Sequence, residues 1–280
     1  MDQLQPNDTI HEPIGLRSEK FKKEVIVIDL TLSDTENEPE NDPKPLNIQQ
    51  EFTPFDPPLY ISGNILESRH YKILRSRHSW FTDDIINAFF CILKAKSEGK
   101  CFVFSSFFYN SLLDKGKKYC LKHWTKGIRA FLNTSLEDKI VLLPVNSGGS
   151  HWVLVAWYVY EGTLKYYDSL MCKRAGKLIM KKMTEFFNEM LKREYNEDEE
   201  ETIDNLLSKL SLDNTNAPPI IRLNLIPKGQ MQQTDGSSCG PICCLNGKSL
   251  VEQDDQSSCD IYEFREHLIE YFKENALIFN

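Results

Sequence analysis

The sequence lacks the patterns that mark zinc-binding, secreted and membrane-spanning proteins. None of its eight cysteines forms a Cys-x2-Cys pair, so no zinc-ligand spacing is present. No apolar run approaches the roughly 20 residues of a membrane span, and no secretory h-region stands at the N-terminus. We therefore expect an intracellular, soluble protein with reduced thiols and with neither a metal nor a cofactor.

An excess of positive charge is missing as well. The 41 acidic and 33 basic side chains give a formal net charge of -8 at pH 7. A nucleic-acid-binding protein needs a basic face that neutralises phosphates. We therefore expect protein partners rather than nucleic acid or a membrane, and a monomeric state.

The composition changes near residue 55. Residues 1–55 are rich in acids and prolines and poor in aromatic side chains, which predicts a disordered N-terminal arm. Residues 56–280 have the apolar content of a folded domain.

A cysteine at a predicted helix entrance is the main candidate for chemistry. Cys239 precedes a Gly-Pro pair and a short apolar run, a pattern typical of a first helical turn. The positive partial charge at a helix start lowers the pKa of a thiol. Gln233 lies six residues earlier and, across an Asp-Gly turn, is placed to donate a hydrogen bond to an oxyanion. For this segment alone, a buried structural cysteine is the alternative.

A histidine and an aspartate occur where a hairpin would bring them together. Residues 140–169 predict three strands joined by turns, with His151 at the start of the second strand and Asp168 at the end of the third. In an antiparallel hairpin these two ends are neighbours. The carboxylate can then hold one imidazole nitrogen while the other faces Cys239. A structural histidine at a strand entrance is the alternative for His151 alone.

The order His-Trp, Tyr-Asp-Ser and Gln-x5-Cys-Gly resembles the Ulp/SENP cysteine proteases, which cleave SUMO-type modifiers. The sixteen residues between His151 and Asp168, and the five between Gln233 and Cys239, fit the spacing of that family. The resemblance implies that His151 is the general base, Asp168 its orienter, Cys239 the nucleophile and Gln233 the oxyanion donor. It also implies an α+β, Ulp-type and distantly papain-like fold, with a central, mostly antiparallel sheet and flanking helices over residues 56–280.

The resemblance extends to substrate-binding residues and covers the chain from about residue 59 onward. It implies that Trp80 and Trp152 clamp the Gly-Gly tail of the modifier, because only residues without side chains pass a narrow aromatic slot. It further implies that Asp83 matches an aspartate of the family and that Trp124 touches the modifier. Core packing is the alternative for each tryptophan.

The implied activity is that of a SUMO-specific cysteine peptidase or isopeptidase, which hydrolyses the bond after the modifier's Gly-Gly. The alternatives are a protease for another ubiquitin-like modifier, an acyltransferase with the same triad, and an inert SUMO-binding module. A papain-like chain order is excluded, since the cysteine comes last here.

Four positions near the nucleophile depart from the family pattern. They remove no catalytic atom, so activity is expected, although the thiol pKa and the substrate preference are open to change. The residues are Ser238 where Asp is usual, Asp235 where Asn is common, Pro241 after Cys-Gly, and Met231 where proline is frequent.

One segment of the arm differs from its surroundings. The run at 25–32 begins with Val25, Ile26, Val27 and Ile28, is followed by acids, and resembles a SUMO-interacting motif. Such a strand can add to the exposed sheet edge of a partner; an edge strand of the folded domain is the alternative. A basic cluster at 17–23 fits a nuclear address or a solvated linker equally well. We expect a nuclear protein, with the cytoplasm as the alternative.

Two helices and one insertion complete the predictions. Residues 173–195 predict an amphipathic helix with Leu178 and Ile179 among its core residues. An acidic surface insertion is predicted from 197 to about 216, and a final amphipathic helix at 261–272, with His267 on the surface.

Overall fold

The structure is a computed structural model that describes residues 55–134, 137–193, 222–225, 230–254 and 259–276. Nearly all of the predicted arm, its motif at 25–32 and the acidic stretch at 197–216 lie outside the described residues.

Helices flank a sheet in the described part of the chain. The elements are β1 (Leu59–Ile61), β2 (Asn64–Leu66), α1 (Ser68–Arg75), α2 (Asp83–Lys96), β3 (Cys101–Val103), α3 (Phe107–Asp114), α4 (Gly116–His123), α5 (Lys126–Leu132), β4 (Ile140–Ser147), β5 (His151–Tyr158), β6 (Thr163–Tyr167), α6 (Lys173–Arg193), β7 (Arg222–Leu225), α7 (Cys239–Glu252) and α8 (Ile261–Ala276).

The strands form a hairpin, β1–β2, and a five-stranded sheet in the order β3-β4-β5-β6-β7. The central pairings, β4 with β5 and β5 with β6, are antiparallel, whereas the edge strands β3 and β7 pair in parallel. The prediction of an α+β fold with flanking helices is confirmed. The sheet is mixed, and its antiparallel pairings are the longer ones.

The sheet separates two hydrophobic clusters, which is why β4 and β5 are almost continuously apolar in sequence. Along β5, Trp152 and Leu154 contribute to the first cluster, which includes residues of α2, α7 and α8. Val153 and Trp157 contribute to the second cluster, which includes residues of α3 and α6. The first cluster contains Cys239, so the nucleophile candidate belongs to that face of the sheet.

The α6 helix follows its predicted stripe with one exception. Its buried apolar residues recur at helical spacing, namely Ile179, Met180, Met183, Phe186, Phe187, Met190 and Leu191. The prediction for Leu178 was wrong, since 55% of this residue is exposed. At about 100° per residue, Leu178 falls roughly 140–150° from the centre of the buried stripe, near the exposed Glu185.

Two boundaries lie beyond the predicted ones, the start of the packed chain at Phe55 and the end of the final helix. Phe55, predicted as the last residue of the arm, is buried and packs edge-on against Tyr71, with ring centroids 5.8 Å apart. The final helix runs to Ala276, and His267 is exposed, as expected. None of the helices in the described ranges is both long and apolar enough to cross a membrane.

Gly247 of α7 marks a tight helix contact and yields a stability prediction. An added Cβ there would lie 2.5 Å from Cε1 of the Phe90 ring on α2. Alanine usually stabilises a helix interior by about 1 kcal/mol over glycine. Here we expect Gly247→Ala to lower the free energy of unfolding by about 1–3 kcal/mol, because the packed Phe90 ring must move. Urea unfolding followed by tryptophan fluorescence measures the change.

The control for this prediction is Asn246→Ala in the same helix, where the side chain is half-buried. We expect a change within about 0.5 kcal/mol for the control. A Gly247→Ala variant more stable than the parent would contradict the tight contact between α7 and α2.

Candidate active site

The predicted histidine and aspartate meet at one end of the β5–β6 hairpin. β5 begins at His151 and β6 ends at Tyr167, and the antiparallel register places Leu154 opposite Tyr167. His151 Nε2 lies 2.7 Å from Asp168 Oδ1. The start of one strand and the end of the next are therefore neighbours, as the hairpin argument expected.

The carboxylate of Asp168 is buried and surrounded by donors. Besides His151, it accepts hydrogen bonds from the N–H groups of Leu170 at 2.9 Å and Cys172 at 2.8 Å. The Tyr166 hydroxyl donates to it at 3.2 Å. Burial raises the pKa of Asp168, but the hydrogen bonds from His151, Leu170 and Cys172 lower it below its usual range. The carboxylate thus stays ionised and holds the imidazole in one orientation.

Cys239 is the first residue of α7, and its buried thiol faces His151. Burial raises the pKa of this thiol. The hydrogen bond with His151, the N–H groups of Trp152 and Gly240, and the charge of His151 outweigh burial and lower the pKa. A helix N-terminus acts in the same direction.

The same contact shifts the pKa of the His151 imidazole upward, opposite to the shift of the Cys239 thiol. Burial lowers its pKa, but the hydrogen bonds and negative charges of Asp168 and Cys239 together raise it to about 9. Because Nε2 faces Asp168, Nδ1 is the nitrogen left for the sulfur. The geometry favours a thiolate–imidazolium pair at neutral pH, which is the reactive form of a cysteine nucleophile.

A close contact requires glycine at position 240, directly after Cys239. A Cβ at position 240 would lie 2.7 Å from the Cβ of Phe81. Phe81 is buried, and its carbonyl accepts the indole N–H of Trp152 at 2.9 Å. Gly240 therefore lets the start of α7 approach the segment that precedes α2.

Asp235 organises the loop that leads to Cys239. Its Oδ1 accepts the N–H groups of Ser237 at 2.8 Å and Ser238 at 2.7 Å, and its Oδ2 accepts the Ser238 hydroxyl at 2.6 Å. Burial raises the pKa of Asp235, but these bonds, led by the Ser238 hydroxyl, lower it. Two of the positions that depart from the family pattern, 235 and 238, thus bind each other.

Gln233 lies between the end of β6 and this loop. Its backbone N–H donates to the Ser169 carbonyl at 3.2 Å. The Ser169 hydroxyl lies 2.6 Å from Gln233 Oε1, and Gln233 Nε2 donates to the Asp235 carbonyl at 2.6 Å. The side chain is therefore held at both of its polar atoms.

The two predicted clamp tryptophans lie in segments that contact the Cys239 region. Trp80 is 50% exposed, and its indole N–H donates to the Gly236 carbonyl at 2.7 Å. Trp152 is buried, and its backbone N–H points at the Cys239 sulfur. One indole is thus available to a ligand, while the other belongs to the core.

Asp83 and Trp124 are placed differently. Asp83 begins α2, and its Oδ1 accepts the Ser106 hydroxyl at 2.7 Å. Trp124 packs edge-on against Phe108, with ring centroids 5.5 Å apart, next to the second cluster. Trp124 and Cys239 therefore belong to opposite faces of the sheet, and the predicted contacts of Asp83 and Trp124 with a modifier stay predictions.

Arg265 is a supporting residue that the sequence reasoning missed. Only 1% of it is exposed. Its guanidinium donates to four backbone carbonyls, those of Ile73 at 3.1 Å, Ser76 at 2.9 Å, Ser79 at 2.7 Å and Ser237 at 3.4 Å. It thereby joins the segment before Trp80 to the loop before Cys239. Its position next to Phe264 on the apolar face of α8 was the available signal.

Two more contacts near Asp168 were not anticipated. Gln230 Oε1 accepts the N–H of Asp168 at 3.0 Å. The Ser169 hydroxyl contact with Gln233 lies within the Tyr-Asp-Ser motif, of which the sequence argument used only the aspartate.

Residues 79–277 match the sequence model described as the Ulp1 protease family, C-terminal catalytic domain. The match covers more than half of the chain and includes Gln233, Cys239 and both members of the His151–Asp168 pair. No curated protein matches the chain.

Solved structures with a similar fold carry the same family name. One is the SUMO protease Ulp1 with its catalytic cysteine oxidised to a sulfenic acid, with a TM-score of 0.60 and 20% identity, covering 78% of this chain and 88% of that chain. Another is the Ulp1 protease domain in complex with Smt3, the yeast ortholog of SUMO, with a TM-score of 0.57 and 21% identity. It covers 79% of this chain and 88% of that chain. A third is the Chaetomium thermophilum Ulp1-like SUMO protease catalytic domain, with a TM-score of 0.56 and 18% identity. It covers 77% of this chain and 81% of that chain. At these identities the likeness shows the fold.

The Cys239–His151 pair predicts how alkylation of the thiol depends on pH. Chloroacetamide should modify Cys239 of the parent well below the pH at which an ordinary thiol ionises, because the imidazolium lowers the thiol pKa. In His151→Ala the onset of alkylation should move to higher pH. Mass spectrometry of the peptide that contains Cys239 measures the rate, with the exposed His267→Ala variant as the matched control. Identical profiles for parent and His151→Ala would contradict the pairing.

The Cys239–His151 pair also predicts how the stability of the fold changes with pH. The folded-state pKa of His151 is raised from 6.5 to about 9. Its contribution to stability is therefore complete below about pH 6.5 and is lost as the pH rises through about 9. Urea unfolding near pH 6.5 and near pH 9 measures the change in the free energy of unfolding. This free energy should fall less between the two pH values for His151→Ala than for the parent.

Proposed function

The chain belongs to the Ulp1 protease family and is a cysteine peptidase, and from this premise we propose that it is a SUMO-specific protease that hydrolyses the bond after the modifier's C-terminal Gly-Gly. That bond is a peptide bond in a modifier precursor or an isopeptide bond to lysine in a conjugate. The observation that supports this most is the meeting of Cys239, His151 and Asp168 at the start of a helix.

The proposed reaction begins with the Cys239 thiolate attacking the carbonyl carbon of the modifier's last glycine. The C–S bond forms as the carbonyl π electrons move to the oxygen. The Cys239 N–H at the start of α7 has no partner within its own helix and can donate to this oxyanion. The second N–H of Gln233 Nε2, which the Asp235 carbonyl does not use, is the other proposed donor.

Proton transfer by His151 completes the cycle. The imidazolium gives its proton to the leaving amine as the C–N bond breaks, and a thioester to Cys239 remains. The neutral imidazole then takes a proton from water, which attacks the thioester. The C–S bond breaks, and the modifier leaves as a carboxylic acid that ionises in solvent. The Cys239 thiolate and the protonated His151 imidazole are thereby restored. Asp168 stays ionised throughout and keeps the ring in place.

The proposed requirement for glycine rests on the surroundings of the sulfur. The exposed Trp80 indole is held by Gly236, and Trp152 is fixed in the core beside Cys239. An aromatic slot between them would admit a chain without side chains. SUMO is favoured as the modifier by the likeness to the Ulp1 protease domain in complex with Smt3 and by the predicted SUMO-interacting motif at 25–32.

Modifiers that carry a C-terminal electrophile test the nucleophile and the modifier class together. We expect the full-length protein to form a covalent adduct with a SUMO probe and none with a ubiquitin probe. Cys239→Ala should abolish the adduct, whereas the exposed Cys172→Ala should retain it. Denaturing gel electrophoresis and mass spectrometry detect the product.

The other outcomes of this test separate the alternatives. An adduct with ubiquitin alone would support a protease for a different modifier. Binding of SUMO without an adduct or turnover would support an inert binding module.

The oxyanion role of Gln233 has its own test. Removal of one oxyanion donor costs roughly 2.7–4 kcal/mol of transition-state stabilisation. We therefore expect Gln233→Ala to lower kcat on a fluorogenic modifier substrate roughly a hundred- to a thousandfold. The neighbouring Gln232→Ala is the matched control, because Gln232 is exposed and donates only to nearby backbone carbonyls in the described structure. A Gln233→Ala rate close to that of Gln232→Ala would contradict the proposed donor.

A further inference from the structure

Ser169 contacts Gln233 twice but has no role in the reaction described so far. It is buried and directly follows Asp168. Its carbonyl accepts the backbone N–H of Gln233 at 3.2 Å, and its hydroxyl lies 2.6 Å from Gln233 Oε1. The end of β6 therefore holds both the backbone and the side chain of the proposed oxyanion donor.

The hydrogen bonds determine which way the Gln233 amide faces. A carboxamide has an oxygen that only accepts and a nitrogen that only donates, and the two ends have nearly the same shape. The Asp235 carbonyl accepts only, so the atom 2.6 Å from it must be nitrogen. The oxygen then faces Ser169, and the Ser169 hydroxyl is the donor of that bond.

This arrangement leaves one N–H free in a defined direction. Nitrogen Nε2 carries two N–H groups, and the contact with Asp235 uses one of them. Without the Ser169 hydroxyl, the amide would be anchored at its nitrogen alone and could turn about that contact. A donor that turns away from the reacting carbonyl loses transition-state stabilisation even when the substrate still binds.

We propose that Ser169 is a positioning residue of the oxyanion site, whose hydroxyl holds Gln233 so that its free N–H faces the carbonyl attacked by Cys239. This inference rests on the function proposed for Gln233. It also explains why Asp168 and Ser169 are adjacent: one strand end orients the imidazole through the carboxylate and the oxyanion donor through the hydroxyl.

A double-mutant cycle tests the proposal with full-length Ser169→Ala, Gln233→Ala and the combined variant. The substrate is SUMO with a C-terminal fluorogenic amide, or the ubiquitin equivalent if the parent cleaves only that. A hydrogen bond of ordinary strength predicts that Ser169→Ala lowers kcat roughly 3- to 10-fold with little change in KM. In the Gln233→Ala background the same substitution should have no further effect. Ser169→Thr, which keeps a hydroxyl, should recover part of the lost rate.

The matched control is Ser97→Ala. Ser97 is also buried, and its hydroxyl donates to the Lys94 carbonyl at 2.7 Å and accepts the Cys101 N–H at 3.1 Å, at the end of α2 and away from the β6 end. Ser97→Ala should change kcat by the same factor in the parent and in the Gln233→Ala variant, because Ser97 does not act through Gln233. Alkylation of Cys239 by chloroacetamide, which forms no oxyanion, should be the same in Ser169→Ala and the parent.

Two results would overturn the proposal. One is an equal loss of kcat from Ser169→Ala in both backgrounds, since the hydroxyl would then act independently of Gln233. The other is a slower alkylation of Cys239 in Ser169→Ala, because Ser169 would then act on the nucleophile or on the fold.

A readout without turnover separates this proposal from the proposed function. If the parent cleaves neither modifier, the proposed function fails, and the side-chain amide of Gln233 decides the inference. In ¹⁵N spectra, its two N–H signals, identified by their loss in Gln233→Ala, should broaden or exchange faster with solvent in Ser169→Ala. Unchanged signals would overturn the positioning role.

Discussion

The site depends above all on the antiparallel pairing of β5 with β6. This pairing puts His151 at the start of one strand beside Asp168 at the end of the other. His151 Nε2 lies 2.7 Å from Asp168 Oδ1. Residues on both faces of β5 are buried in the two clusters. A slip of one residue would exchange the two faces and bury the wrong side chains, so the register is strongly specified. The position of the imidazole is therefore a consequence of sheet packing.

Cys239, the proposed nucleophile, follows a loop that is held in place by charge as well as by packing. A buried guanidinium costs several kcal/mol unless polar groups surround it. Arg265 meets this condition with four carbonyls, with the ring of Phe81 at 4.7 Å from its Cζ and with the nearby negative charge of Asp235. These groups belong to the segments on both sides of Trp80 and to the loop before Cys239. The aromatic residue proposed to cover the substrate and the proposed nucleophile thus share one anchor.

Sequence reasoning succeeded where local pattern determines geometry. Continuous apolar runs joined by turns predicted the hairpin that joins His151 to Asp168, and the Gly-Pro pair predicted the helix that begins at Cys239. It failed for Arg265, whose partner Ile73 is 192 residues away, because no local period encodes such a contact. Leu178 was assigned to the stripe wrongly for a different reason: at about 100° per residue it falls on the opposite side of the helix, near the exposed Glu185, so the helical period itself excludes it.

The departures from the family pattern at 235 and 238 are best understood as a single change. Taken singly, a serine before the nucleophile removes a usual carboxylate, and an aspartate at 235 adds a charge. In the folded loop the Ser238 hydroxyl donates to Asp235 at 2.6 Å, and the same carboxylate accepts the N–H groups of residues 237 and 238. The loop therefore contains a carboxylate, supplied by Asp235, and a hydrogen bond from Ser238 that closes it. Because that carboxylate also lies close enough to Arg265 to interact with its charge, the same residue ties the loop to Arg265 and so supports Cys239 at the start of α7.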